Sequence, residues 1–150
     1  MLKARSPQRP ALIRLLRVAI AAVGLLPWAL GLLPLSTPEL RVVFHTMCHQ
    51  LPERTWQLRG EPMMVCSRCA GLYAGIAAGA LLPLPRRWLS FGRALFCAAL
   101  GLNLIEFGTE ALGLRSLSHP PRMAVGALLG WVMAALAVTA LRQERGKRPS

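Results

Sequence analysis

Aspartate is absent from these 150 residues, and six glutamates are the only acids against 18 lysines and arginines. Charged residues make up 16% of the chain, where an ordinary soluble domain carries about 25%. That shortage excludes a water-facing surface of normal composition. No phosphate loop, dinucleotide fingerprint or recognisable hydrolase triad occurs, and there is no internal repeat, so nothing supports nucleotide-driven chemistry or a solenoid. The formal charge of +12 raises the question of nucleic acid. A nucleic-acid surface sets its cations on a polar face among aromatics. Here they flank apolar runs instead, as around membrane helices, and no nucleic-acid partner is expected.

Hydrophobic residues make up 54% of the chain, in blocks. Val18–Leu35 is uncharged over 18 residues, Ala70–Pro85 over 16 and Met123–Leu141 over 19. Ala94–Ile105 is a shorter clean run, extending past Glu106 and Glu110 to Leu112. A bilayer-spanning helix needs about 17–25 residues. The first and last runs reach that directly, and the middle two do so by borrowing flanking residues. The pattern predicts an all-α, polytopic membrane protein built as a four-helix transmembrane bundle. The first run is longer than the ~7–15 residues of a signal-peptide core, and no Ala-x-Ala site follows it, so it is read as a retained span.

Cation counting orients the chain. Residues 1–17, the connection between spans two and three, and residues 142–150 together hold twelve cations and one acid, Glu144. The other side holds six cations and five acids. The positive-inside rule then places both termini in the cytoplasm of a prokaryotic cell, with the plasma membrane as the location. The expected organisation is a basic segment over 1–17, one membrane domain over 18–141 with an external loop at about 36–69, and a basic tail over 142–150. The expected partner is the bilayer, with the tails on anionic headgroups at about 1 kcal/mol per cation.

Gly71, Gly75 and Gly79 fall every fourth residue in the second run, and Gly126 and Gly130 share that spacing in the fourth. Such stripes let helix backbones approach closely in lipid, which predicts contacts involving spans two and four. Pro27, Pro34, Pro83 and Pro85 mark kinks or ends. Trp28, Trp56 and Trp88 fall where interfacial anchors sit, while Trp131 is deeper and is read as packing.

The external loop carries Cys48-His49 and, at its end, Cys66-Ser-Arg-Cys69. A Cys-x-x-Cys turn can aim two sulfurs at one ion, and a second pair further off can close a tetrahedral site. The candidate ligands are Cys48, His49, Cys66 and Cys69, with zinc or another transition metal as the cofactor. Neighbours such as Cys48 and His49 have diverging side chains, which leaves His45, one helical turn before His49, as an alternative. The competing reading is redox: external thiols tend to oxidise, and Cys66 and Cys69 could cycle with Cys48 resolving. A third reading is a scaffold or transport accessory whose cysteines staple the loop. Cys97, within the third run, reads as a small core hydrophobe.

These motifs resemble a known family. Cys48-His49-Gln50-Leu-Pro52-Glu53-Arg54-Thr55-Trp56 and Cys66-Ser-Arg68-Cys69-Ala-Gly71-Leu-Tyr73-Ala-Gly75 are similar to the motifs of the predicted membrane proteins called domain of unknown function 2085, found in bacteria and archaea. Glu106, Arg122, Gly126 and Gly130 look like that family's later acid, arginine and glycine pair, although aspartate is more usual at the first. The resemblance covers about Val42 to Gly130. It implies a polytopic membrane protein whose cysteine and histidine motifs act together, with Gln50, Arg54, Arg68 and Arg122 as supporting residues. His45 stands outside the motif. No activity comes with the resemblance.

An acid at membrane depth is a functional suspect, so Glu106, with Arg68 and Arg122 as possible partners, is a candidate general base beside Glu53. Glu53-Arg54 is read as a loop ion pair. His119 is read as shaping a turn, joining the site only if the two outer loops touch.

Overall fold

The computed structural model describes residues 8–33, 37–114 and 118–147. Pro34 and the predicted end of the first span lie outside the described residues, as do the middle of the second outer loop and the ends of both basic tails. Helix α1 (Gln8–Leu32) leads to the short α2 (Pro38–His45), a 3-10 turn (Pro52–Arg54) and a two-stranded ribbon, β1 (Gln57–Leu58) and β2 (Glu61–Pro62). Helix α3 (Ser67–Leu81), a second 3-10 turn (Arg86–Phe91), α4 (Gly92–Ala111) and α5 (His119–Lys147) complete the chain.

Ala11–Leu32, Arg87–Ala111 and His119–Arg142 are long and apolar enough to cross a membrane. Helix α3 has 15 residues, about 22 Å at 1.5 Å per residue, against a hydrocarbon core of about 30 Å. Three helices of spanning length and one shorter helix therefore stand where four spans were expected. Proline explains the shortfall. Pro83 and Pro85 disfavour helical backbone in the residues before them, and Leu82 leaves the helix at φ −116°, ψ 74°.

The end of the short helix, exposed at Leu81 and Leu82, receives protein donors on its carbonyls. Arg17 of α1 donates from Nε to Ala80 O and from Nη2 to Leu81 O, both at 2.8 Å. On α5, Trp131 Nε1 donates to Leu82 O at 3.3 Å, while Thr139 Oγ1 gives its proton to Ala135 O at 2.6 Å and lies 3.3 Å from Leu84 O. These bonds replace the water that a helix C-terminus needs.

Helix α3 is the central element, packed between α1 and α5, with α4 on a further flank of α5. The glycine stripes explain the closeness. A Cβ at Gly71, Gly75 or Gly79 would run into the carbonyl oxygens of Met123, Ala127 and Trp131. In return, a Cβ at Gly126 or Gly130 would strike Arg68 O and Leu72 O. The register advances in the same direction on both helices, so α3 and α5 run parallel and start at the same end. Large apolar side chains cover the outside of α1 and α4, among them Leu12, Val23, Leu104, Ile105 and Phe107. Surfaces of this kind suit lipid and not water. Cys97 is exposed on α4 and not in a core. Trp28 is tied inward, donating from Nε1 to Ala70 O at 3.1 Å.

Gly75→Ala should destabilise the detergent-solubilised protein by about 1–3 kcal/mol, as overpacking does. Gly101→Ala, where nothing lies within 4 Å, should be neutral or stabilising by up to about 1 kcal/mol. Thermal unfolding of the two variants side by side decides whether the α3–α5 contact has been placed correctly.

Candidate metal centre and the adjoining ion network

Short-range hydrogen bonds fold the segment before α3 into a cap over its N-terminus. Thr37 caps α2, accepting from Leu40 N–H at 3.5 Å, and Pro38 occupies its first turn. After His45 the chain tightens, with Met47 and Cys48 both donating to Phe44 O. Gln50 takes φ 51° and its Nε2 donates back to Arg41 O at 2.8 Å. Arg41 in turn reaches Pro62 O at 3.1 Å. The ribbon pairs Leu58 with Glu61 around Arg59 and Gly60, both at positive φ, the geometry of a tight hairpin turn. It delivers Met63, Met64 and Val65, all buried, to the start of α3.

That path brings Cys48 to Cys66 and Cys69. Their three sulfurs all lie within 4.8 Å of one another. Cys48 is buried, whereas Cys66 and Cys69 are half-buried. Phe44, Met63, Met64, Val65 and Ala70 form the apolar surround. The backbone N–H of Cys66 donates to Cys48 Sγ at 3.2 Å. Hydrogen bonds from the Cys66 thiol, then from the Cys69 thiol, hold Cys48 well below the ordinary thiol range, against the opposing effect of burial. The same hydrogen bonds, with Cys48 first and Cys66 next, push the Cys69 thiol up, and burial adds to this, so the trio favours one thiolate, the form that metal ligation and thiol exchange both use.

His49 lies outside the group and is exposed, as is His45. The Gln50 turn carries the chain away immediately after Cys48, so the neighbouring side chains diverge. The structure thus assembles three of the four candidate ligands. Gln50 supports the trio through its side chain on the backbone of α2 and through its own backbone N–H, which faces the Cys48 sulfur.

The other side of the first turn of α3 carries charge. Arg68 pairs with Glu106, and at 3.3 Å with Glu110. Arg122 pairs with Glu110, and its Nε lies 3.5 Å from Glu106 Oε1. Arg54 reaches Glu110 Oε1 at 3.1 Å, and not its neighbour Glu53 as the sequence suggested. Glu106, Glu110 and Arg122 have side chains 9%, 10% and 5% exposed, so this is an interior network. Glu106 is committed to two arginines, which removes it as a free general base. Arg68 also stacks 5.6 Å from the centre of the Phe107 ring.

The two outer loops do touch. Ser67 donates from Oγ to Arg54 O at 2.9 Å and lies 2.5 Å from His119 Nδ1. The hydroxyl has one proton and gives it to Arg54, so His119 must donate from Nδ1. Trp56 packs edge-on against His119 at 6.0 Å. Pro52, Glu53, Thr55, Trp56, Gln57 and His119 line an open cleft of about 480 Å³. Glu110 and Ser67 were missed from the sequence. The available signal for Glu110 was its spacing of four residues from Glu106, which puts both acids on one helix face.

Residues 48–136 match the model of the family described as predicted membrane protein, DUF2085. An uncharacterized protein of Methanocaldococcus jannaschii is 27% identical over 104 residues, which span 63% of this chain and 63% of that protein. An uncharacterized protein of Methanothermobacter thermautotrophicus is 30% identical over 95 residues, 62% of this chain and 86% of the relative. No solved structure matches.

Removing one partner from a buried ion network strands the others and costs about 3–5 kcal/mol. Glu110→Gln should lower stability by that order in a detergent melt. Glu61→Gln, on the exposed ribbon, should stay within about 0.5 kcal/mol of the parent.

Proposed function

The chain belongs to the DUF2085 family of predicted membrane proteins, and on that premise we propose that it is a four-span protein holding a zinc-class ion on Cys48, Cys66 and Cys69 at the outer membrane face. The carrying observation is the mutual approach of three sulfurs to within 4.8 Å. Sulfur donors favour zinc among the common divalent ions. The N–H bond from Cys66 to Cys48 Sγ is the kind of outer contact that orients a ligand. Three protein ligands leave one tetrahedral position for water or a substrate atom, which is how catalytic zinc sites differ from closed structural ones. Glu53 and His119, in the cleft beside α3, are the groups placed to exchange protons with a substrate there.

In this reading α3 is the second of the four spans, ended early by Pro83 and Pro85, with Arg17 donating to the carbonyls of Ala80 and Leu81. The cation asymmetry supports cytoplasmic termini in a prokaryotic plasma membrane. Residues 18–141 form one membrane domain with the 36–69 loop outside, and the basic ends at 1–17 and 142–150 lie on anionic headgroups.

A second reading has an observation of its own. The depressed Cys48 thiol can attack a substrate disulfide and release its first thiol, after which Cys66 or Cys69 attacks Cys48, closes a bridge and releases the second; with a quinone-class acceptor the same pair of sulfurs gives up two electrons and one proton as the bridge closes, and the quinol takes its second proton from water.

Elemental analysis of protein purified under reducing conditions separates the two. The metal reading expects about one ion per chain, lost in Cys48→Ser, Cys66→Ser or Cys69→Ser and kept in Cys97→Ser. Metal-free parent protein with a reversible disulfide by mass spectrometry would sink the metal reading and establish the redox one.

A further inference from the structure

The ion network is unbalanced in two independent ways. Three arginines, Arg54, Arg68 and Arg122, face two glutamates. Arginine stays protonated in proteins, so the cluster carries at least one uncompensated positive charge. Hydrogen bonding is lopsided in the same sense. Among the described residues, the buried side-chain polar atoms lacking a partner are Arg54 Nε, Arg68 Nε and Trp56 Nε1. All three are N–H donors.

These donors share a neighbourhood. Ser67, next to Arg68, bonds the carbonyl of Arg54, and Trp56 packs on His119, the other neighbour of Ser67. The orphaned atoms themselves are closed to solvent, while the side chains that carry two of them are 38% exposed at Arg54 and 25% at Arg68, so a ligand meets those side chains first and gains the orphaned N–H groups only as they turn outward. A buried donor without an acceptor costs about 1–3 kcal/mol. Excess charge beside three orphaned donors is therefore a standing deficit that one ligand type removes.

We propose that this end of the molecule binds a phosphate oxyanion, either free phosphate or the phosphodiester of a lipid headgroup. A phosphate supplies several acceptor oxygens in different directions, as donors on three separate side chains require, and guanidinium groups suit it geometrically. A phosphodiester carries one negative charge, equal to the excess. The site is separate from the thiol trio and stands whether or not the trio holds metal.

The test is thermal unfolding of the full chain in a neutral detergent. Dialysis against a chelator comes first, so that phosphate on a thiol-held metal is not counted. Sodium phosphate should raise the midpoint saturably, where sodium chloride at equal ionic strength does not. Arg54→Gln should weaken the phosphate response at least tenfold. Arg59→Gln, which removes an exposed cation from the hairpin turn, should leave it intact. Should Arg54→Gln fail to fold, Trp56→Phe removes one orphaned donor and should weaken the response several-fold. Added phosphatidylglycerol that abolishes the response assigns the site to a lipid phosphate, and a response that survives it assigns the site to free phosphate. Equal responses to phosphate and chloride, or an undiminished response in folded Arg54→Gln and Trp56→Phe, overturn the proposal.

Discussion

Backbone meets backbone where α3 crosses α5, with Gly71, Gly75 and Gly79 facing the carbonyls of Met123, Ala127 and Trp131. In lipid there is no hydrophobic penalty for leaving helices apart, so association rests on close packing. A stripe without side chains maximises that packing and permits one register only. The register has a consequence for charge. Two parallel helices begin at the same end, which brings Arg68, at the second position of α3, beside Arg122, at the fourth of α5. Such a pair is repulsive alone. Glu106 and Glu110 of α4 are the counter-charges that allow the crossing to close.

The same charges orient α4. That helix is the least enclosed, with Gly101 and Gly108 open to the surroundings and apolar side chains exposed along its length. Its inward face is Ala99, Asn103, Glu106 and Glu110, spaced by four, three and four residues. Asn103 donates to Val125 O on α5 at 3.0 Å, and the acids bind the arginines. Buried ion pairs seldom add net stability over well-packed hydrophobes, and their best-attested use is to set register. Here they fix which side of an otherwise apolar helix turns inward.

Composition carried most of the architecture. Blocked apolar runs marked the middle of each long helix, although α1 begins ten residues before its run and α5 ends six after its own, and glycine periodicity marked the α3–α5 contact. Both signals are local and repeat along a helix. The length of α3 was less legible, because the apolar run continues to Pro85 while the helix stops at Leu81. What completes it is a set of hydrogen bonds from Arg17 and Trp131, up to 64 residues away in the chain. At the site, Cys48, Cys66 and Cys69 were readable from motif spacing. The exclusion of His49 was not, because it depends on one backbone turn at Gln50. The bond from His119 to Ser67 was invisible for a different reason: it joins loops 52 residues apart and leaves no period.

The arrangement of three sulfurs also weighs between metal and disulfide. A disulfide draws two sulfurs to about 2.05 Å and has no use for a third. A tetrahedral zinc with Zn–S bonds of about 2.3 Å sets every pair of its sulfurs about 3.8 Å apart. All three sulfurs lie within 4.8 Å of one another, which gathers a full three-sulfur donor set and also brings each pair within a short movement of a bridge. Closing any one bridge would pull Cys48 toward the first turn of α3, or that turn toward Cys48. The turn has little freedom to move. Ser67 is fully buried and bonded to two loops, Arg68 is held by two glutamates, and the backbone behind it rests against Gly126. An ion that holds the sulfurs about 3.8 Å apart asks less movement of that anchored turn than a bridge at about 2.05 Å does.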